Sequence, residues 1–256
     1  MHLKVLGCSG GFTPQFRQTT FLLDKDLLLD GGTINSALRD EEMTDIRWCL
    51  VSHAHLDHIR EIAFLLHTKS VFGHAPLTLV GHDDVLKSVR EHILNGVIWP
   101  DFSVIGDPPY LRYQSIECGQ WITLGDYQVR AEFTNHKPAT TGFFVKKDGG
   151  TLAYSSDISL SKESAPSPFV DYLKKDDDIS NLIVEATFPD RLIDFANMTL
   201  HSIPAQIAKL KQSLQRDVRV LITHMRPVDI AEIKDDFAKS GIAVEFLEAG
   251  IEHDIK

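Results

Sequence analysis

The sequence predicts an α+β fold in which two sheets pack face to face with helices on the outside. Three observations predict it. Short apolar runs of strand length stand both early and late in the chain, helical patterns follow several of them, and 43% of the 256 residues are hydrophobic, enough to fill a sizeable core. No internal repeat or low-complexity segment interrupts this pattern, so residues 1–256 are expected to form one domain.

In chain order, the opening apolar run ends in Gly7-Cys8-Ser9-Gly10-Gly11, a strand followed by a turn. Residues 21–24 and 27–30 pair as a hairpin about Asp24-Lys25-Asp26, and Gly31-Gly32 breaks the second strand. Residues 46–52 form another short strand, and 59–70 and 83–95 carry helical spacing. Pro100, Pro108 and Pro109 make 97–113 a loop or an irregular insertion. Strands follow at 121–124, 128–134, 142–145 and 152–155, the last two joined by an Asp148-Gly149-Gly150 turn. Residues 159–178 hold a Ser/Pro-rich piece and a charge run at 174–178 that reads as a solvated face. The remainder alternates: a strand at 182–185, a helix at 203–214 with Ser202 as its cap and Pro204 in its first turn, a strand at 218–223, a helix at 228–240 and a final strand at 244–247.

The formal net charge is −10 and no basic run is long enough for a nucleic-acid patch, so bulk attraction to DNA or RNA is not expected to drive binding. An anionic substrate is still compatible with this balance if metal charge attracts it locally. Cys8, Cys49 and Cys118 are far apart and odd in number, which gives no pair the spacing of a zinc knuckle, argues against a disulfide framework and suits a reducing compartment. The N-terminal apolar run breaks at Gly7, too early for a signal peptide, and no apolar run reaches membrane-spanning length. A cytoplasmic protein without a membrane partner is expected.

The sharpest chemical signal is Ser52-His53-Ala54-His55-Leu56-Asp57-His58, three imidazoles and a carboxylate within six residues at the end of an apolar strand. A strand or a helix cannot aim all of them at one point. A turn can aim them at two adjacent points, as a pair of metal ions requires, and imidazole nitrogen with carboxylate oxygen is a donor set that zinc accepts. By contrast His2, His67, His74, His82, His92 and His253 have no partner at ligand spacing and read as surface or satisfied core residues.

The H-x-H-x-D-H motif after a short strand resembles the signature of metallo-β-lactamase-fold hydrolases, and later motifs of that superfamily find matches in order. Thr134-Asn135-His136 resembles its third-histidine position, Tyr154-Ser155-Ser156-Asp157 its bridging-aspartate motif, and Leu221-Ile222-Thr223-His224 its last strand-end histidine. The resemblance implies a four-layer αβ/βα sandwich. It also implies two divalent metal ions, zinc first, with manganese or iron as alternatives. His53, His55 and His136 would hold one ion, Asp57, His58 and His224 the other, and Asp157 would bridge them, so that a metal-bridging hydroxide attacks a phosphate ester. Asp57 is expected to serve both as ligand and in catalysis.

A second resemblance narrows the chemistry. Glu185-Ala186-Thr187 at a strand end and His201-Ser202 before a helix look like paired motifs of the phosphodiesterase branch, in which the Glu orients the His and the His donates a proton to the leaving alkoxide. The alternative for these two residues is a strand-end salt bridge and a helix-entry surface histidine. His55-Leu56-Asp57-His58-Ile59 and Thr223-His224-Met225-Arg226-Pro227 further resemble class II cyclic-nucleotide phosphodiesterases. Asn197-Met198-Thr199 stands where that family has His-Met-Thr, which leaves two registers for the proton donor, with His201 favoured. A small anionic phosphodiester, a 3′,5′-cyclic nucleotide above all, is the expected substrate. Thr140 and Arg226 are expected to bind its phosphate, and a homodimer is the family-based expectation. A tRNA 3′-processing endoribonuclease is the second reading, weakened by the absence of a basic Gly/Pro-rich arm in residues 60–135. A di-iron redox or oxygen-binding protein and a non-catalytic metal-stabilised module are readings of another class. The complete histidine set argues against the former, and the Glu185–His201 pair against the latter.

Overall fold

The structure is a computed structural model that describes residues 1–162 and 164–256. In its first half the elements are His2–Gly7 (β1), Thr20–Leu23 (β2), Leu27–Leu29 (β3), Asp40–Thr44 (α1), Trp48–Leu50 (β4), Leu56–Ile59 (α2), Ile62–Phe72 (α3), Leu77–Gly81 (β5), Asp83–His92 (α4) and Leu111–Ser115 (β6). In its second half they are Trp121–Leu124 (β7), Tyr127–Phe133 (β8), Thr141–Lys147 (β9), Gly150–Tyr154 (β10), Pro168–Lys175 (α5), Asn181–Glu185 (β11), Ile193–Thr199 (α6), Pro204–Ser213 (α7), Arg219–Thr223 (β12), Ile230–Ser240 (α8), Glu245–Phe246 (β13) and Glu252–Asp254 (β14).

The strands form two mixed seven-stranded sheets, in the orders β14-β1-β2-β3-β4-β5-β6 and β13-β12-β11-β10-β9-β8-β7, the C-terminal β14 crossing back to pair with β1. Both faces of each sheet are covered, and the strands therefore read as apolar runs whose alternate residues enter different cores. In β2 and β3, Phe21, Leu23, Leu27 and Leu29 join Phe143, Leu152, Tyr154, Ile183 and Leu221 between the sheets. Their neighbours Leu22 and Leu28 face outward onto Ile62, Leu65 and Leu66 of α3 and Val85 and Val89 of α4. The second sheet repeats the division, with Leu182, Val184, Val220 and Ile222 facing Phe169 of α5, Ile207 of α7 and Phe237 of α8. Each such fully buried side chain contributes ~1.5–3 kcal/mol. The predicted helix–sheet–sheet–helix sandwich is what these residues form.

The differences from the sequence reading are local. β5 was not anticipated, and β6 begins inside the stretch read as a loop. The Ser/Pro-rich piece leads into α5, where Ser167 caps Val170, Pro168 opens the helix and Lys174 and Lys175 close it. Glu163, within that piece, lies outside the described residues. Asp176, in the charge run, pairs with Lys146 at 2.9 Å. Ser202 does not cap α7, since Ile203 occupies that position. Its hydroxyl instead donates to the Ile158 carbonyl oxygen and accepts from the Leu160 amide, tying down the turn after β10.

The strands set the position of the chemistry. β3 and β4 run parallel in one sheet, as do β10, β11 and β12 in the other. Asp30, residues 52–58, Asp157, Glu185 and His224 all sit at or just beyond the carboxyl ends of these strands, where the two sheets meet at one edge of the sandwich.

Candidate metal centre

Three turns and a tight corner carry the ligands. After β4 the chain is extended through His53 and His55, the latter at the N-terminus of the one-turn helix α2, which carries Asp57 and His58. Thr134 after β8 fixes the third turn, because its hydroxyl donates to the Asp157 carbonyl oxygen. Asp30, Ser156 and His224 adopt left-handed backbone with φ of 58°, 52° and 60°, a conformation that costs ~1–3 kcal/mol in a non-glycine residue and recurs at functional corners. Gly10 makes room for the last of these, because a Cβ there would stand 2.5 Å from the His224 carbonyl oxygen and 2.8 Å from its Nδ1.

All seven residues proposed as ligands converge. The donor atoms of His53, His55, His136 and Asp157 lie within 4.8 Å of one another, as do those of Asp57, His58 and His224. Asp157, 2% exposed, faces both sets. One carboxylate oxygen stands 3.7 Å from Nε2 of both His53 and His136, and the other 3.4 Å from Nε2 of His58 and 3.5 Å from that of His224. Asp57 approaches His224 Nε2 at 3.3 Å.

The imidazole orientations follow from what binds the opposite nitrogen. His58 Nδ1 donates to Asp30 at 2.8 Å, and His136 Nδ1 donates to the Leu200 carbonyl oxygen at 3.0 Å. His53 Nδ1 meets the Ser52 hydroxyl at 3.0 Å and His224 Nδ1 the Thr187 hydroxyl at 3.0 Å. In all four the Nε2 lone pair points inward, the arrangement by which outer hydrogen bonds orient metal-bound histidines.

This inward set fits divalent cations. Nε2 of His53, Nε2 of His136 and the inner oxygen of Asp157 are buried without any hydrogen-bond partner, a state that costs free energy unless something positive completes it. His58 and His224 bring two ring nitrogens to 3.3 Å. Two lone pairs repel at that distance unless a proton or a cation lies between them. Burial, with the neighbouring imidazoles, holds His53 well below the usual histidine range, so it stays neutral and able to ligate. Burial opposes ionisation of Asp157, yet the surrounding imidazoles outweigh it and hold the carboxyl far below the ordinary range. Protein stripped with a chelator is expected to take up two zinc ions per chain in a calorimetric titration; uptake of one or none would remove the second ligand set.

The two candidate registers for the proton donor differ in their surroundings. His201 Nδ1 lies 2.9 Å from Glu185 Oε1, whereas the Asn197 side chain accepts from Gln206 Nε2 at 3.2 Å. Burial disfavours charge on His201, but the Glu185 carboxylate outweighs it and pushes the imidazole up to about 9. His201 also lies within ligand distance of Asp157 and His224.

The two expected phosphate contacts fare differently. Thr140 is 1% exposed and spends its hydroxyl on the Pro138 carbonyl oxygen, which makes it a brace for the His136 turn and not a surface for a ligand. Arg226 pairs with Asp229 at 3.0 Å and lies 5.0 Å over the Phe188 ring, which packs against His201, so it stands beside the cleft.

Asp30 was read only as the end of a strand. It is fully buried and accepts from the Ser52 amide, the Ser52 hydroxyl, His58 and the Tyr154 hydroxyl. The one signal available was a carboxylate closing the wholly apolar run Leu27-Leu28-Leu29. Ser52 and Thr187 were likewise missed as orienting groups.

A family model described as Anti-Pycsar protein Apyc1 matches residues 1–229. Among curated relatives, a 3′,5′-cyclic-nucleotide phosphodiesterase of Schizosaccharomyces pombe is 29% identical over 80 residues, 31% of this chain and 21% of the relative. The Anti-Pycsar protein Apyc1 of Paenibacillus harenae is 30% identical over 110 residues, 40% of this chain and 44% of the relative. The matched stretches thus span less than half the length of either relative. Among solved structures, unliganded yeast PDE1 superposes with a TM-score of 0.82 at 15% identity, covering 98% of each chain. The metallo-β-lactamase-fold protein YhfI of Bacillus subtilis superposes with a TM-score of 0.77 at 19% identity, covering 99% of each. The sandwich is therefore the metallo-β-lactamase fold.

Proposed function

Because the chain belongs to the Anti-Pycsar protein Apyc1 family, we propose that it is a metal-dependent phosphodiesterase that hydrolyses a small phosphodiester, a 3′,5′-cyclic nucleotide in particular. The observation that carries this reading is His201 held on Glu185 beside the carboxylate that divides two ligand sets. A stabilising metal scaffold has no use for a proton donor at that place, whereas ester cleavage does.

His53, His55 and His136 would hold one divalent ion and Asp57, His58 and His224 the other, with Asp157 between them. Zinc is the first choice for such a nitrogen and oxygen set, with manganese or iron also suited. When bound, such a pair lowers the pKa of a shared water towards about 7 and offsets charge on the phosphoryl oxygens. The chain's own groups complete the reaction. Burial opposes charge on Asp57, but the neighbouring His224 and His58 imidazoles outweigh it and hold the carboxyl below its usual range, so it would accept a hydrogen bond from the attacking water and orient it. One proton of the attacking water passes to solvent, its oxygen forms a new bond to phosphorus as the ester P–O bond breaks, and His201 gives its ring proton to the departing alkoxide. Glu185 accepts from Nδ1–H and favours the charged ring, so His201 would act as an imidazolium whose Nε2–H is the proton given.

A cyclic nucleotide is supported by the name of the Schizosaccharomyces pombe relative and by charge. Residues 93–110, a long connection between α4 and β6, contain no Lys or Arg, and the whole chain carries −10, so nothing here offers an extended RNA a basic track.

His201→Ala is the test. Loss of a general acid costs ~10²–10⁴ in kcat for an alkoxide leaving group, and much less for a nitrophenolate that needs no proton. Equal losses on a cyclic mononucleotide and on a nitrophenyl phosphodiester would deny His201 this role.

A further inference from the structure

Glu185 is fully buried, and its carboxylate collects four donors. Oε1 accepts from His201 Nδ1 and, at 2.9 Å, from the Ile158 amide next to Asp157. Oε2 accepts from the Thr187 amide at 3.2 Å and from the Thr187 hydroxyl. A carboxylate has no proton to give, so the single hydroxyl hydrogen of Thr187 is committed to Glu185. The Thr187 oxygen can then only accept from His224 Nδ1, 3.0 Å away. That requirement places the His224 proton on Nδ1 and turns its Nε2 toward Asp57 and Asp157. The same oxygen lies 3.3 Å from His201 Nδ1. One side chain, 3% exposed, therefore spans the proton donor's carboxylate and an inward-facing imidazole.

We propose that Thr187 is a positioning residue that couples the two functions of the cleft, setting the tautomer of His224 for cation binding and the orientation of the Glu185–His201 pair for proton donation. It rests on the reading of this cleft as a two-cation phosphodiester site. The first sheet holds a parallel arrangement: the Ser52 hydroxyl donates to Asp30 at 2.8 Å and so can only accept from His53 Nδ1. Each sheet thus supplies a carboxylate, a hydroxyl and an imidazole in series, but only the Thr187 series also reaches a group that moves a proton.

Three variants test the coupling. Thr187→Val keeps the shape and removes the hydroxyl, Thr187→Ala removes both, and Thr187→Ser keeps the hydroxyl. Zinc binding to chelator-stripped protein is measured by calorimetry, and kcat is measured on a cyclic mononucleotide and on a nitrophenyl phosphodiester. Val and Ala are expected to weaken one of the two zinc sites ~10–100-fold, the usual effect of losing a group that orients a ligand. They are also expected to lower kcat more on the cyclic nucleotide than on the nitrophenyl ester, and Ser is expected to restore both. If Val fails to fold, Ala carries the comparison. Unchanged zinc affinity in Val or Ala, an equal loss on both substrates, or a Ser variant as impaired as Val would each overturn the coupling. Wild-type protein that binds fewer than two zinc ions, or that cleaves neither ester, would overturn the underlying reading as well, and that result is visible before any variant is measured.

Discussion

Asp157→Ala is expected to abolish hydrolysis of every phosphodiester, a larger loss than the ~10²–10³ that follows removal of a single electrostatic donor from an active site. The reason is geometric. Asp157 gives one oxygen to the His53 and His136 nitrogens and the other to those of His58 and His224. Its removal therefore weakens both ligand sets together, where a histidine variant weakens one. The fold should survive the change. The turn after β10 is held by backbone groups, the Asp157 carbonyl to Thr134 and the Ile158 amide to Glu185. In the presence of a chelator the variant should melt close to the wild type, while added zinc should stabilise the wild type far more than the variant. Elemental analysis showing wild-type metal content, together with wild-type turnover, would dismantle the bridging assignment.

The parts of this molecule that could be read from the chain are those written in local patterns. The candidate ligands between His53 and His58 form one dense motif, and His136, Asp157 and His224 each follow an apolar strand that ends at the same edge of the sandwich. The strands of the second sheet were readable because β9 to β12 are buried along most of their length. β6 was not, because it is a sheet edge on which only Leu111 is fully buried, and edge strands carry polar residues that erase the alternating signal. α6 escaped for a similar reason. Only Ala196 on it is buried, while Ile193, Phe195 and Met198 are exposed, so no apolar stripe marks a helix.

Asp30 and Thr187 were illegible for a different reason: their roles exist only once distant segments meet. Asp30 accepts from Tyr154, 124 positions away, and Thr187 touches His224, 37 positions away. Neither sits at a spacing that a turn, a strand or a helix could bring together. A carboxylate at the end of an apolar strand is compatible with a surface salt bridge, and a threonine two residues after a glutamate with an ordinary loop. What distinguishes them is burial, and burial is a property of the fold.

That difference gives the second large effect. Asp30→Ala is expected to destabilise the protein by ~3–5 kcal/mol, the range for removing one member of a buried charged pair and leaving its partners unmet. The stranded donors are the Ser52 amide, the Ser52 and Tyr154 hydroxyls and His58 Nδ1. Asp30→Asn should be milder. Three donors, Ser52 Oγ, His58 Nδ1 and Tyr154 OH, converge on one carboxylate oxygen at 2.6–2.8 Å, and only the Ser52 amide meets the other. An asparagine can offer its carbonyl to the first three and leave a single donor facing its amide, at a cost of ~1–3 kcal/mol. Urea denaturation in chelator measures both variants without the contribution of bound metal. Zinc affinity should fall in both, by ~10–100-fold, because His58 loses the partner that turns its Nε2 inward. An alanine variant within about 0.5 kcal/mol of the wild type, the range of an ordinary surface substitution, would mean that Asp30 does not hold the 52–58 turn. The aim of His53 and His58 would then have to come from packing alone.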